Sequence, residues 1–251
     1  MRKILPLLIV LSLLILGACQ AQPGQGARPK EKERMDISQD KILADLKAAD
    51  AKDNPYKKED YTAYSLEVVK KMDQDQKTSI FLWVWCQDYS FSQGIFKAES
   101  GYSMPMKLVY GAQDGKLQEI IQPRDGSEYA PSILEMTGGD KKLVEKLMES
   151  FNLNLGEDYN RLMENLAQDA KAKGLENFSH KLDQVPGYEK DVIYIKDSPG
   201  HIPGTVDIVK KDDYDQAKAR VGKENWTYCP SICYHEKTGL ALESILDSFE
   251  K

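Results

Sequence analysis

The sequence predicts an α+β fold, and three features carry that prediction. Residues 80–86 (Ile-Phe-Leu-Trp-Val-Trp-Cys) are apolar on both faces of an extended chain, as in a central strand covered on both sides. The Asp114-Gly115 pair, between apolar stretches, favours a hairpin and hence antiparallel pairing. Two later segments carry apolar residues at three- and four-residue spacing, the signature of amphipathic helices. The predicted order is an N-terminal helix, an antiparallel β-meander, a helical segment and a smaller α/β C-terminal part.

Taken in order, Tyr61, Tyr64, Leu66, Val68, Val69 and Met72 are spaced nearly as on a helix, so a helix is expected over residues 61–72. A strand opens at Lys77 or Thr78, and further strands are expected over residues 92–98, 104–110 and 117–122. Residues 123–127 (Pro-Arg-Asp-Gly-Ser) form a turn. Asp140 can cap a helix over residues 141–151, with Leu143, Val144, Leu147 and Phe151 as its apolar face. Glu157 and Asp158 suit the positive end of a second helix. Its stripe is Tyr159, Leu162, Met163, Leu166 and Ala170, and Gly174 stops it. Strands follow at residues 192–195 and 205–209, separated by Pro199-Gly200 and Pro203-Gly204. A short helix is expected over residues 212–221. Leu240, Leu242, Ile245, Leu246 and Phe249 make a last amphipathic stripe, read as a helix.

The chain ends differ from this globular pattern. Arg2 and Lys3 precede an apolar run over residues 4–16, and small residues follow, the layout of a secretory signal peptide. The run is about 13 residues, short of the roughly 20 that cross a bilayer. Leu16-Gly17-Ala18-Cys19 resembles the lipobox of bacterial lipoproteins. That resemblance implies cleavage before Cys19, a diacylglyceryl group on its sulfur and a palmitate-type anchor on the extracytoplasmic face of the cell membrane. If the host had two membranes, Gln20 in place of Asp would favour the outer one. Residues 19–56 read as a lipidated N-terminus and solvated tether with a short helix over residues 37–51. Residues 57–251 form the globular region, with a possible division near 137. The formal charge is −6, and losing Arg2 and Lys3 with the leader makes it −8. An acidic chain with interspersed lysines has no basic face for nucleic acid.

Cysteines are few, so their placement carries information. The mature chain has Cys86, Cys229 and Cys233 besides Cys19, and export permits a disulfide between Cys229 and Cys233 or between either and Cys86. Residues 229–233 (Cys-Pro-Ser-Ile-Cys) also resemble the copper-binding loops of Sco-like proteins, where two thiolates and a distant histidine hold the metal. Only 18 residues follow Cys233, which leaves no room for that family's downstream fold. Cys229, Cys233 and His235 could supply three metal ligands where a structural zinc takes four. His235-Glu236 begins like a zinc-protease helix, but Lys237-Thr238-Gly239 follows and the second histidine is missing. Trp83-Val84-Trp85-Cys86 resembles the end of a thioredoxin first strand without the second cysteine, so Cys86 reads as a core thiol. His180 and His201 read as loop residues. No P-loop, dinucleotide fingerprint or nucleophile elbow is present, no catalytic residue is assigned and no cofactor is implied.

Residues 118–133 (Gln-Glu-Ile-Ile-Gln-Pro-Arg-Asp-Gly-Ser-Glu-Tyr-Ala-Pro-Ser-Ile) are similar to segments in extracytoplasmic domains of clostridial antibiotic-sensor metalloprotease relatives and associated lipoproteins. There a strand ends in a Pro-x-Asp-Gly-Ser turn followed by a tyrosine and a short helix. The similarity spans about residues 80–140 and implies a sensing or accessory domain outside the cell, without the protease's zinc motif. The expectation is therefore a membrane-anchored envelope lipoprotein that binds an unknown protein or small molecule without catalysis. The alternative is an envelope thiol-redox or metal-binding protein using Cys229, Cys233, His235 and Cys86.

Overall fold

A computed structural model describes residues 35–53, 61–153, 155–196, 201–223 and 227–247. The residues expected to form a leader and tether, 1–34 with Cys19, lie outside these described residues, as do Pro199-Gly200, Phe249 and the side chain of Phe151. The architecture is α+β. Helix α1 (Gln39–Asp53) precedes four strands, β1 (Tyr61–Gln74), β2 (Lys77–Ser92), β3 (Ile95–Gly111) and β4 (Leu117–Ile121). Three helices follow, α2 (Tyr129–Met136), α3 (Lys141–Leu153) and α4 (Leu155–Ala172). The chain closes with β5 (Val192–Ile195), β6 (Thr205–Lys210), α5 (Lys211–Arg220), β7 (Cys229–His235) and β8 (Leu240–Leu246).

All eight strands share one sheet, in the order β1-β2-β3-β8-β7-β6-β5, with β4 paired to the other half of β3. The two antiparallel meanders meet at a parallel contact in which Phe96 of β3 registers with Leu242 of β8. The sheet therefore runs across residue 137, and the described residues fall in one compact unit. Residues 39–53, expected within the tether, form helix α1. Ile37, Ile42 and Leu46 are almost fully buried with Tyr64, Leu82 and Val84, so α1 belongs to the core. Tyr64 and Tyr102 donate hydrogen bonds to Asp50 at 2.5 and 3.0 Å, which tie the end of α1 to the sheet.

The helix expected over residues 61–72 is strand β1. Tyr64, Leu66 and Val68 alternate toward α1, while on the other face Tyr61 packs toward α4 and Val69 toward α3. Apolar residues on both faces create the apparent helical spacing. β1 lies at one end of the sheet order, where outward amides would be orphaned. Helix α4 covers them: Tyr64 N donates to Asn165 Oδ1 and Thr62 N to Asp169 Oδ2, both at 3.2 Å. Leaving such a buried amide unmatched costs about 1–3 kcal/mol.

The two strands expected over residues 92–98 and 104–110 are one strand, β3. Its middle (Glu99, Ser100, Gly101) is exposed and polar, and a Cβ at Gly101 would lie 2.5 Å from the Cys86 carbonyl oxygen. Only glycine lets β3 pass β2 there. The residues expected to form a last helix are instead β8, paired antiparallel to β7. By contrast, α4 buries Tyr159, Leu162, Met163, Leu166 and Ala170 as its spacing predicts. At its end Leu175 N bonds Ala170 O at 2.9 Å beside Gly174. In α3, Asp140 Oδ1 accepts from Leu143 N at 3.1 Å, while Leu143, Val144 and Leu147 pack on Phe81. After β4 ends at Ile121, the turn, a short 3-10 segment (Gly126–Glu128) and α2 follow, with Tyr129 packed against the Phe81 cluster.

Candidate ligand groove

Strands β7 and β8 form a hairpin with two different faces. On one face Cys229 and Leu246 pack with Ala217 of α5, and Cys233, Leu240 and Leu242 pack against α4. On the other, Ile232, Tyr234 and Ala241 are covered by Leu182, Val185 and Tyr188 from the segment after α4. That segment is strapped to the turns. His180 N donates to Gly239 O at 2.8 Å, Tyr234 Oη donates to His180 O at 3.0 Å, and a His180 ring nitrogen meets Gly94 O at 2.7 Å. A Cβ at Gly239, where φ is +71°, would lie 2.7 Å from the His180 carbonyl oxygen, so the strap requires glycine there.

The cover does not reach the end of the hairpin. Beyond it lies a groove of about 410 Å³ between Ile95, Tyr188, Tyr228, Pro230, Ile232 and Ile245, with Glu243, Ser231 and Ser244 also on its walls. Tyr228 is 59 % exposed and Ile245 is 64 % exposed, the two most exposed large apolar side chains among the described residues. The volume falls within the range of small-molecule sites. Ser231 is buried, and its Oγ has no hydrogen-bond partner among the described residues. Burial pushes the Tyr188 hydroxyl up, helped by the Asp213 carboxylate, so it keeps its proton.

Two other clefts contain ion-paired or hydrogen-bonded charges. The one of about 170 Å³ between α1, β1 and α4 contains Lys173 paired with Asp169 at 2.9 Å, and Asp50 held by two tyrosines. The one of about 230 Å³ beside the 123–127 turn contains Arg124 paired with Glu135 at 2.9 Å.

The structure does not bring the expected thiol and histidine ligands together. Cys86, Cys229 and Cys233 are thiols, not half-cystines. Cys229 and Cys233 sit four residues apart on one strand, so their Cα atoms are roughly 13 Å apart. A disulfide needs no more than about 7 Å, so the expected Cys229–Cys233 bridge does not form. Cys86 packs on the α1 side of the sheet, and Cys233 beside α4, where its Sγ lies 3.4 Å from Tyr159 Oη. Burial pushes the Cys233 thiol up, and the Asp207 carboxylate opposite adds to this while Tyr159 works against it. Burial likewise raises Cys229. Both are protonated near neutral pH, the wrong state for a nucleophile or a metal ligand.

His235 is fully buried, and both ring nitrogens are taken. Nε2 meets Asn160 Oδ1 and Nδ1 meets Thr238 Oγ1, each at 2.8 Å. Among the described residues no group of three His, Cys, Asp or Glu side chains could hold a metal ion. His180 binds a turn carbonyl, and the Nδ1 of His201 is buried without a partner among the described residues. Sequence reasoning missed the groove itself. Helical spacing puts Ile245 in one amphipathic stripe with Leu242 and Leu246, whereas in a strand it shares a face with Glu243, opposite those two.

Comparison with known proteins gives no match: no family model, no curated protein and no solved structure matches this chain.

Proposed function

We propose that this chain is a lipid-anchored, extracytoplasmic binding protein of the cell envelope that holds an apolar ligand in the β7–β8 groove without catalysing a reaction. The lipobox-like Leu16-Gly17-Ala18-Cys19 supports the address. The exposed Tyr228 and Ile245 at the rim of the 410 Å³ groove carry the binding reading. Binding without turnover fits the rest of the chemistry, because the thiols of Cys229 and Cys233 are held protonated and both nitrogens of His235 are occupied.

Two expected results test the two halves of this reading. Cys19→Ser moves the protein from the membrane fraction to the soluble one and abolishes metabolic labelling with palmitate; retention of both would remove the lipid anchor from the proposal. Wild-type mature chain binds the neutral fluorophore N-phenyl-1-naphthylamine saturably, one per chain. The double variant Tyr228→Ala, Ile245→Ser weakens that binding by about tenfold or more, as expected for two stripped apolar contacts. Its thermal transition stays near that of wild type, because both side chains are exposed. Unchanged binding would place the ligand elsewhere, and capture of a protein instead of the fluorophore would make the groove a docking surface.

A further inference from the structure

Building on the groove reading above, we infer that the groove selects ligands that join an apolar body to a positively charged end, with Glu243 as the counter-charge. Glu243 is exposed on β8, registers with Ile232 of β7, and shares its strand face with Ile245. Among the described residues it is the single carboxylate or ammonium side chain on the groove walls, and it forms no ion pair or hydrogen bond with a described residue. A fully apolar ligand would leave that carboxylate beside it and partly strip its water, which is unfavourable. A cationic end placed there would instead be met by the carboxylate and by tyrosine ring faces, which attract cations. Tyr188 shows this preference within the chain, because Lys210 Nζ lies 5.1 Å from its ring centroid.

Among the described residues no cation lines the groove: Lys210 Nζ lies against the Tyr188 ring but is not on the walls, and Arg220 donates to the Tyr228 carbonyl oxygen at 3.3 Å. The mature chain's charge of −8 adds a long-range field that concentrates cations and repels anions. The occupant fitted by these features is a small cationic amphiphile: an apolar or aromatic body, about the length of the Tyr228–Ile245 rim, ending in an ammonium or amidinium group.

The test uses the full mature chain carrying Cys19→Ser and three probes with the same eight-carbon tail: octyltrimethylammonium, octyl glucoside and octyl sulfate. Each is titrated calorimetrically below its micelle concentration. The ammonium probe should bind about tenfold more tightly than the glucoside, the sum expected of one partly exposed ion pair and one cation–π contact. The sulfate should bind most weakly. Glu243→Gln should cut the ammonium preference to about threefold, the share left to the cation–π contact, while leaving the glucoside affinity as it was, and added salt should weaken the wild-type preference likewise. Equal binding of ammonium and glucoside by wild type, or a preference undiminished in Glu243→Gln, overturns the charge selection and leaves the groove reading standing. Failure of all three probes to bind, or binding untouched by Tyr228→Ala, removes the groove reading and this inference together.

Discussion

Replacing Phe96 with Ala is expected to destabilise the protein by about 3–5 kcal/mol, the cost of deleting a buried aromatic ring. The site leaves little scope for relaxation. Phe96 is fully buried, and its ring lies 4.7 Å from that of Phe91, 5.6 Å from Tyr61 and 6.3 Å from Tyr89, centroid to centroid. Both meanders and α4 converge on this cluster. It also marks the seam of the sheet, because Phe96 and Leu242 are the registered pair that joins β3 to β8. With a typical domain stability of about 5–15 kcal/mol, such a loss leaves a substantial unfolded fraction. Urea denaturation followed by tryptophan fluorescence and far-UV circular dichroism checks it. The two signals should shift together, since one sheet carries both halves. Phe96→Leu, which keeps most of the volume, should cost clearly less. A loss below about 1 kcal/mol for Phe96→Ala would mean that the meanders are held together elsewhere.

The helices that rest one face on the sheet were legible because each has one apolar stripe and one wet side. α4 shows its period of 3.6 from Tyr159 to Ala170, and α3 does so from Leu143 to Leu147. β2 was legible for the opposite reason, since α1 covers Leu82 and Val84 while α3 covers Phe81, so no polar face interrupts it. β1 and β8 were not legible. In β1, Tyr61 and Val69 face α4 and α3 while Tyr64, Leu66 and Val68 face α1, so apolar residues on both faces leave three- and four-residue spacings. In β8, Ile245 faces the open groove while Leu242 and Leu246 face helices, so apolar residues fall on both sides of the strand and their spacing imitates a stripe.

The groove was less legible than the fold because its walls come from four separate stretches of chain: Ile95, Tyr188, residues 228–232 and residues 243–245. Their meeting depends on the parallel β3–β8 contact and on the register that sets Pro230 opposite Ile245. Neither is written in local spacing. Local spacing did single out Cys229, Cys233 and His235, which share one face of β7 because even steps separate them. That face is the buried one, so the residues with the most reactive side chains serve the core. The side chains left for a ligand are the unremarkable ones on the opposite face.

His235→Gln is expected to cost about 2–4 kcal/mol at pH 8, with a loss that shrinks as the pH falls. At high pH the imidazole is neutral, and each nitrogen has one role: Nε2–H donates to Asn160 Oδ1, and Nδ1 accepts from the Thr238 hydroxyl. Gln cannot meet Asn160 and Thr238 together, and a buried partner left unmatched costs about 1–3 kcal/mol besides the lost packing of the ring. Burial lowers the pKa of His235 below its ordinary value of 6.5; the carboxylates of Glu164 and Glu236 pull it upward, Lys237 pushes it down, and burial dominates. The unfolded chain therefore takes up this proton first as the pH falls. Stability that is fully present above about pH 6.5 is progressively lost below it. Protonation would also turn Nδ1 into a donor aimed at a hydroxyl that must then reverse its own bond. Urea titrations of wild type and His235→Gln at pH 8, 7, 6 and 5 check this, the variant serving to subtract the pH dependence that does not come from His235. The gap between the two proteins should narrow from pH 7 downward. A gap of constant size would mean that the ring is not held neutral, and that the link between α4 and the β7–β8 turn does not depend on its protonation state.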